Sequence, residues 1–364
     1  MHVTRLDLRH VRRFTELRLE PSPGLNLITG DNGAGKTSVL EALHLMAYGR
    51  SFRGRVRDGL IQAGAPALEV FVEWQEVPAS GGGTERLRRA GLRHTGQDWT
   101  GRLDGASVTQ LGDLCAALAV VSFEPGSHAL ITGGSESRRR YLDWGLFHVE
   151  PNFLLLWRRY ARALKQRNAL LKARARDGQL EAWDHELAEA GEPLSRYREQ
   201  YLEALQPLFA GVLAELAPAL GQSRLEYVPG WRREEMPLAD ALLVARDRDL
   251  SSGHTTVGPH RADWRIAFGA LPGREALSRG QAKLTALSAL LAQSTHHAAE
   301  RGEWPVVALD DLASELDRTH QGRVLERLEA SGAQVFITGT EPLSALRDRG
   351  DVRMFHVEHG ALHG

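Results

Sequence analysis

Cysteine is almost absent from this sequence, which has one among 364 residues. A single cysteine excludes an internal disulfide, and the apolar setting of Cys115 in DLCAALAVV indicates a buried side chain more than a reactive thiol. Long hydrophobic runs are missing too, since none reaches the roughly 18 residues that a membrane-spanning helix needs. The opening stretch MHVTRLDLRH also lacks the apolar core of a secretory signal peptide. We therefore expect a protein of the reducing cytoplasm.

Lysine is scarce as well: only four of the 45 basic residues are lysines, at positions 36, 165, 172 and 283. Basic and acidic residues nearly cancel, because 46 acidic residues leave a net charge of −1. The field of the whole molecule therefore does not indicate a polyanionic partner. Local clusters of charge have to decide that question.

The apolar pattern predicts strands towards both ends of the chain and a helical block between them. VTRLDLRHVRRFTELRLE alternates apolar and polar positions, and residues 67–110 alternate like antiparallel strands. LNLITG, WPVVALD and AQVFITGT are short apolar runs typical of buried parallel strands, and MFHVEHGALHG resembles a closing hairpin. From about 150 to 220 the spacing is helical, with one face formed by Phe153, Trp157, Tyr160, Leu164 and Leu171.

The segment GDNGAGKTS satisfies the pattern G-x-x-x-x-G-K-[ST], with Gly30, Gly35, Lys36 and Thr37 at its fixed positions. In such a loop backbone N–H groups surround the phosphates, the lysine reaches the β and γ oxygens, and the threonine hydroxyl binds Mg²⁺. A strand precedes the loop and the helical stretch SVLEALHLMAYG follows it. This order predicts a nucleotide phosphate site in preference to a purely structural glycine turn.

Two further segments complete the predicted site. In LDDLASELD a buried strand delivers Asp310 to the metal side, and Asp311 follows where it can polarise water, although alone these acids would also suit a solvated turn. The segment LSRGQ precedes another helix. Its Ser278 could hydrogen-bond a γ-phosphate or could simply cap that helix.

The three segments in this order resemble the ABC ATPases, with Arg279 in place of a glycine of their LSGGQ signature. The stretches RRRYLDWGLFH, LKQRNALL, VGPHRADW and LSRGQAKL narrow the resemblance to the RecF family of recombination mediators, on the SMC-like branch. The resemblance implies an α/β fold: an ABC-type P-loop ATPase head, with a mixed sheet and an antiparallel β-subdomain, carrying an inserted mainly helical lobe. We place the head at residues 1–120 and 240–364 and the lobe, which replaces the SMC coiled-coil arms, at 121–239.

Site roles follow from the resemblance position by position. The implied catalytic residues are Lys36, Asp310 and Asp311, and the implied Mg²⁺ ligands are Thr37 and Asp310, with Glu124 at the place of the Q-loop glutamine. Ser314 and Asp317 match the D-loop. The implied nucleotide-binding residues are Gly30, Asp31, Asn32, Gly33, Ala34, Gly35, Lys36, Thr37, Ser38, Ser278, Gly280 and Gln281. The switch histidine is not evident, because FITGTE has Thr338 and Thr340 in that region.

The family resemblance also implies partners and a mode of action. Two subunits would close on ATP, so that Ser278 of each completes the phosphate site of the other, and the protein would be a monomer without ATP. It would bind double-stranded DNA and single-strand/double-strand junctions and work with RecR and RecO in loading RecA. The resemblance implies weak, DNA-stimulated hydrolysis that acts as a switch. Asp311 is one methylene shorter than the usual glutamate, so it should reach a bound water less well.

Positive charge is concentrated in two places. Between Arg138 and Arg176 there are eleven basic residues against two acidic ones, and RSFRGRVRD carries four more arginines. Such patches suit DNA phosphates with little sequence preference, although the first could instead be a solvated helix face paired with the acidic stretch 177–192. The candidate DNA contacts are Arg50, Arg53, Arg55, Arg57, Arg138, Arg139, Arg158, Arg162, Lys165 and Lys172.

Two other functions compete with this one. A transporter ATPase subunit would share the three segments, but it should show a Q-loop glutamine and a switch histidine. A DNA-tethering protein with long arms would need many sustained heptads, which the sequence lacks. His254 and His260 might suggest metal chemistry, but without ligand spacing we expect them to pack or hydrogen-bond.

Overall fold

The computed structural model describes residues 1–56, 59–76, 86–174, 177–342, 346, 352–358 and 360–363. Its strands are β1 His2–Val11, β2 Phe14–Leu19, β3 Leu25–Thr29, β4 Leu68–Glu76, β5 Arg86–His94, β6 Trp99–Leu103, β7 Ala106–Val108, β8 Val120–Phe123, β9 Ser223–Val228, β10 Asp263–Phe268, β11 Val306–Leu309, β12 Val335–Gly339, β13 Arg353–Glu358 and β14 Ala361–His363. Its helices are α1 Lys36–Tyr48, α2 Leu111–Ala117, α3 Ala129–Thr132, α4 Ser135–Val149, α5 Phe153–Lys172, α6 Asp177–Leu216, α7 Leu238–Val244, α8 Arg246–Ser252, α9 Arg279–Arg301, α10 Leu312–Glu315 and α11 Arg318–Ser331.

The chain divides into two compact units. The first comprises residues 1–127 and 294–364, and the second comprises 128–293. The predicted lobe at 121–239 begins near the start of the second unit, whereas residues 240–293, which we placed in the head, belong to that unit by their packing. The division into head and lobe by function stays a prediction.

Two sheets build the first unit. One is antiparallel throughout, in the order β2-β1-β4-β5-β6-β7, and the other has the order β14-β13-β3-β12-β11-β8. In the second sheet β13, β3, β12, β11 and β8 run parallel and β14 pairs antiparallel with β13. The mixed sheet and the antiparallel subdomain are therefore as predicted.

Helix α1 packs in the core of the first unit, where it joins side chains from both sheets. Phe14, Leu43 and Phe336 are fully buried there, and burial of each such side chain stabilises the fold by roughly 2 kcal/mol. The burial of α1 extends to polar residues, because Glu41 and His44 are buried together with its apolar side chains. A helix covered on every side is held rigidly, which fixes the loop that precedes it.

The second unit is mainly helical. Helix α5 packs on the 40-residue helix α6, and β9 and β10 form a separate two-stranded antiparallel sheet. Phe153, Tyr160 and Leu171 of the predicted packing face of α5 are buried, but Trp157 is 41% exposed. Within the described part of the chain, we find no helix both long and apolar enough to span a membrane.

Candidate functional site

The glycine-rich loop lies between the end of β3 and the start of α1, as predicted. Gly30 and Gly35 have φ angles of 147° and 123°, where side chains are disfavoured. A Cβ on Gly30 would lie 2.2 Å from the Val357 carbonyl oxygen, and one on Gly35 would lie 2.7 Å from the Phe14 ring. Both positions therefore require glycine for space as well as for backbone conformation.

Lys36 begins α1 and turns its side chain back onto the loop. Its ammonium donates to the carbonyl oxygens of Gly30 at 2.7 Å and Asp31 at 2.9 Å. Burial lowers the pKa of Lys36, and the nearby charges of Asp311 and Asp310 oppose that shift. The loop therefore holds a desolvated cation at the N-terminus of a helix, an arrangement that suits an anion.

Asp310 follows the last residue of β11 and is 2% exposed. Its Oδ1 accepts hydrogen bonds from the hydroxyls of Thr37 at 2.8 Å and Thr338 at 2.7 Å. Strands β3, β12 and β11 are parallel neighbours, so their carboxyl ends deliver these groups to one edge of the sheet. Burial raises the pKa of Asp310, and the two hydroxyl hydrogen bonds oppose that rise.

The pair of Thr37 and Asp310 fits a divalent cation. Both supply hard oxygen donors, which suit Mg²⁺. The carboxylate is also buried at a cost that a cation would offset. The two residues are 273 positions apart in the chain, and their contact is the meeting of the two predicted halves of the site.

Asp311 lies beside this pair in an unusual backbone conformation. Its φ is 53°, in the left-handed region, and its N–H donates to the Thr338 hydroxyl at 2.8 Å. Its Oδ2 accepts a hydrogen bond from the Ser314 hydroxyl at 2.5 Å. The Asp311 carboxylate, which we predicted to polarise water, is therefore hydrogen-bonded to Ser314 of the predicted D-loop.

These groups surround a cavity of about 340 Å³. Its lining includes eight of the predicted nucleotide-site residues, Asn32, Gly33, Gly35, Lys36, Thr37, Ser38, Asp310 and Asp311, together with Arg53 from the second basic cluster. Gly30, Asp31 and Ala34 build the loop behind this surface. Four lining residues were not predicted for the site: Arg12, Arg13, Pro125 and Thr338.

Arg12 and Arg13 come from the turn between β1 and β2. The Arg12 guanidinium makes two hydrogen bonds to the fully buried carboxylate of Glu41, at 3.0 and 2.8 Å, which fasten the turn to α1. Arg13 stands beside the loop, with its guanidinium 3.8 Å from the point that a Cβ on Gly33 would occupy. The only sequence signal was a pair of arginines in a predicted strand, which is too common to mark a site.

Glu124, which the resemblance places at the Q-loop position beside the metal, is not among the described residues that line the cavity. Its carboxylate accepts from the Gly126 N–H at 2.5 Å, and the next residue, Pro125, faces the cavity instead. Its role in metal binding stays a prediction.

The predicted signature lies in the second unit, at the start of α9. The Ser278 N–H donates to Gln281 Oε1 at 2.8 Å, and the Gln281 N–H donates to the Ser278 hydroxyl at 3.2 Å. This reciprocal pair of hydrogen bonds is a capping box. Ser278 therefore caps helix α9, which was the alternative to a phosphate contact. Ser278 and Gly280 are also exposed, which leaves them open to a partner.

The predicted DNA contacts fall into different environments. Arg138 is 3% exposed and bonds to Asp263 at 2.6 and 3.0 Å, and Arg139 donates to the Ala262 carbonyl oxygen at 2.8 Å. For Arg138 the structure thus indicates an internal structural role, because Asp263 already neutralises its charge. The exposed candidates are Arg53, Arg55, Arg162, Lys165 and Lys172, with Arg50 and Arg158 half-buried. Arg57 lies outside the described residues.

Fold and site together define a P-loop protein of the ABC ATPase fold. The profile described as "RecF/RecN/SMC N terminal domain" matches residues 2–362. The chain therefore belongs to this family, which groups RecF, RecN and SMC proteins.

Curated relatives match along the whole chain. The DNA replication and repair protein RecF of Stenotrophomonas maltophilia (strain R551-3) is 66% identical over 362 residues, covering 100% of this chain and 99% of the relative. The protein of that name from Xanthomonas euvesicatoria pv. vesicatoria (strain 85-10) is 68% identical over 363 residues, covering 100% and 98%.

Solved structures agree with these relatives. The structure of "the recombination mediator protein RecF-ATP in RecFOR pathway" has a TM-score of 0.86 at 27% identity, covering 100% of this chain and 97% of that one. An SMC head bound to the C-winged helix domain of ScpA has a TM-score of 0.60 at 16% identity, covering 100% and 96%, and this likeness concerns the fold alone.

Proposed function

We propose that the protein is an ATP-switched DNA-binding protein of recombinational repair. The observation that carries this proposal is the 2.8 Å hydrogen bond between Thr37 and Asp310, which joins a phosphate loop and an acidic strand end in one cavity. Relatives named for DNA replication and repair, and a neighbour solved with ATP, support it. Family membership favours this function over the transporter alternative.

The cavity would bind ATP with Mg²⁺. Backbone N–H groups of the loop would surround the phosphates while Lys36 reaches their outer oxygens. Thr37 and Asp310 would hold Mg²⁺, which neutralises charge developing on the phosphoryl group. Asp311 would polarise the attacking water once its carboxylate is released from the hydrogen bond with Ser314. A short carboxylate that must first move is consistent with weak hydrolysis that acts as a switch.

ATP would also join two copies of the chain. Ser278, Gly280 and Gln281 are proposed to approach the γ-phosphate in the cavity of the partner subunit, where the N-terminus of α9 favours negative charge. The exposure of Ser278 and Gly280 supports such an approach. The protein would accordingly be a homodimer with ATP and a monomer without it.

The exposed basic side chains of α5 are the proposed DNA contacts. Arg162, Lys165 and Lys172 are exposed along one helix, and such charges contact phosphates with strong salt dependence and little sequence preference. We propose duplex DNA next to a single-strand gap as the substrate, and RecR with RecO as protein partners that load RecA. The proposed site of action is the cytoplasm.

Replacement of Lys36 with Met tests the switch. The variant should lose ATP-dependent dimerisation and ATP-dependent retention on gapped duplex DNA, because no ammonium remains to meet the phosphates. Light scattering and DNA binding at fixed salt, each with and without ATP, give both quantities, and wild-type protein without ATP is the control. If the variant still dimerises and retains DNA in response to ATP, the switch proposal is wrong.

A further inference from the structure

The hydroxyl of Thr338 touches both acids of the site, although no motif marks this residue. Its Oγ lies 2.7 Å from Asp310 Oδ1 and 2.8 Å from the backbone nitrogen of Asp311. Thr338 is 1% exposed and belongs to β12, whose pairing with β11 places it just beyond Leu309. A buried hydroxyl needs hydrogen-bond partners, and here the two acids supply them.

The direction of each hydrogen bond follows from the groups involved. A backbone N–H can only donate, so the Thr338 oxygen accepts from Asp311. The Thr338 hydroxyl therefore donates its single proton in a hydrogen bond to Asp310 Oδ1. The same oxygen accepts a hydrogen bond from the Thr37 hydroxyl. Two hydroxyl donors on one carboxylate oxygen stabilise the ionised form and fix the rotation of the carboxylate.

The two hydroxyl donors, Thr37 and Thr338, differ in their other proposed contacts. Thr37 belongs to the phosphate loop and is the proposed Mg²⁺ ligand, so its bond to Asp310 changes when the metal binds. Thr338 lies on β12, between β3 and β11 in the sheet, and has no proposed contact with nucleotide or metal. Its bond can therefore hold Asp310 in place with and without the metal.

Thr338 also supports the backbone at Asp311. That residue has a φ of 53°, in the left-handed region that disfavours a non-glycine residue unless hydrogen bonds or packing hold it there. The hydrogen bond from the Asp311 N–H to Thr338 is such a restraint. It sets where the Asp311 side chain leaves the main chain.

We propose that Thr338 is a positioning residue that aligns Asp310 for the divalent cation and Asp311 for the attacking water. This inference rests on the proposed ATP hydrolysis at the same site.

The test compares Thr338→Val, which keeps the shape and removes the hydroxyl, with Thr338→Ser, which keeps the hydroxyl. Thr340→Val is the matched control, because it makes the same change two residues along at an exposed position outside the cavity lining. The main readout is the Mg²⁺ concentration that gives half-maximal binding of a fluorescent, non-hydrolysable ATP analogue. Thermal unfolding and the separate kcat and KM for ATP are measured alongside.

Loss of the hydroxyl should raise the half-maximal Mg²⁺ concentration about 10-fold, the usual effect of removing a hydrogen bond to a metal ligand. Binding at saturating Mg²⁺ should stay the same, and kcat should fall more than KM changes. Thr338→Ser and Thr340→Val should behave like wild type. A purely structural role would instead lower the unfolding temperature without shifting the Mg²⁺ dependence.

Two results would overturn the proposal: an unshifted Mg²⁺ dependence in folded Thr338→Val, or an equal shift in Thr338→Ser. If the valine variant does not fold, Thr338→Cys provides the comparison, since its thiol is a much weaker donor. Wild-type protein that binds no analogue at any Mg²⁺ concentration would reject the proposed function itself, which separates the two failures.

Discussion

At the scale of single residues, the motif found the loop but not all of its surroundings. Gly30, Gly35, Lys36 and Thr37 could be predicted because their roles depend on neighbouring backbone and on a fixed local spacing. Arg13 and Thr338 could not be predicted, because strand pairing and a turn bring them to the cavity from segments with no spacing rule. The roles of residues within one motif can be inferred from sequence, whereas the distant residues that surround the motif depend on the topology of the fold.

Gly35 allows a test of the loop geometry. Alanine there should abolish nucleotide binding and destabilise the fold by roughly 1–3 kcal/mol, because φ is 123° and the new Cβ would lie 2.7 Å from the Phe14 ring. Gly24→Ala is the control, since a Cβ at Gly24 has no neighbour within 4 Å. Urea unfolding and binding of the fluorescent analogue measure the two effects. Equal behaviour of the two variants would contradict the geometry.

We expect His260 to make the stability of the second unit depend on pH. Its Nε2 donates to the Thr255 carbonyl oxygen at 2.9 Å, so the neutral ring accepts the Tyr160 hydroxyl at Nδ1, 2.7 Å away. Burial lowers the pKa of His260 to about 4. The unfolded chain takes up this proton near pH 6.5, so the stabilisation is complete above that pH and is lost as pH falls towards 4.

Between pH 7.5 and pH 5 this one group should lower the free energy of unfolding by roughly 2 kcal/mol. Denaturant unfolding at both pH values should show a smaller loss in His260→Gln than in wild type. The exposed His254 is the control position, and His254→Gln should keep the wild-type dependence. An unchanged pH dependence in His260→Gln would show that other groups account for the acid sensitivity.

At the scale of helices and strands, continuous apolar runs predicted β3, β11 and β12 because parallel strands are buried on both faces. Charge was harder to interpret, because a count along the chain does not show which arginines are already paired. Arg167, for example, is fully buried against Asp184 and Asp249. Two of the stretches that marked the family are joined to each other, because Arg138 of RRRYLDWGLFH binds Asp263 of VGPHRADW. Asp143 of the first stretch also binds Arg198 of α6, at 2.8 and 2.9 Å.

Arg138 and Arg162 should therefore separate stability from DNA binding. Arg138→Ala leaves Asp263 without its partner and should destabilise the protein by about 3 kcal/mol. Arg162→Ala removes an exposed charge from α5 and should leave unfolding nearly unchanged while weakening DNA binding and reducing its salt dependence. Denaturant unfolding and DNA binding over a salt series measure both. Destabilisation by Arg162→Ala, or its absence in Arg138→Ala, would contradict these assignments.

At the scale of the whole molecule, the proposed switch requires that hydrolysis, not binding, ends the dimer. Asp311→Asn separates these steps, because an amide cannot take up a proton from the attacking water while its backbone N–H still bonds to Thr338. The variant should bind ATP, hydrolyse it roughly 100-fold more slowly and accumulate dimers. Light scattering in the presence of ATP should show persistent dimers of the variant, whereas wild-type protein should return to monomer as ATP is consumed. Ser278→Arg is the complementary variant, which should bind ATP as a monomer but fail to associate. Monomeric Asp311→Asn with ATP bound would mean that the triphosphate does not hold two subunits together.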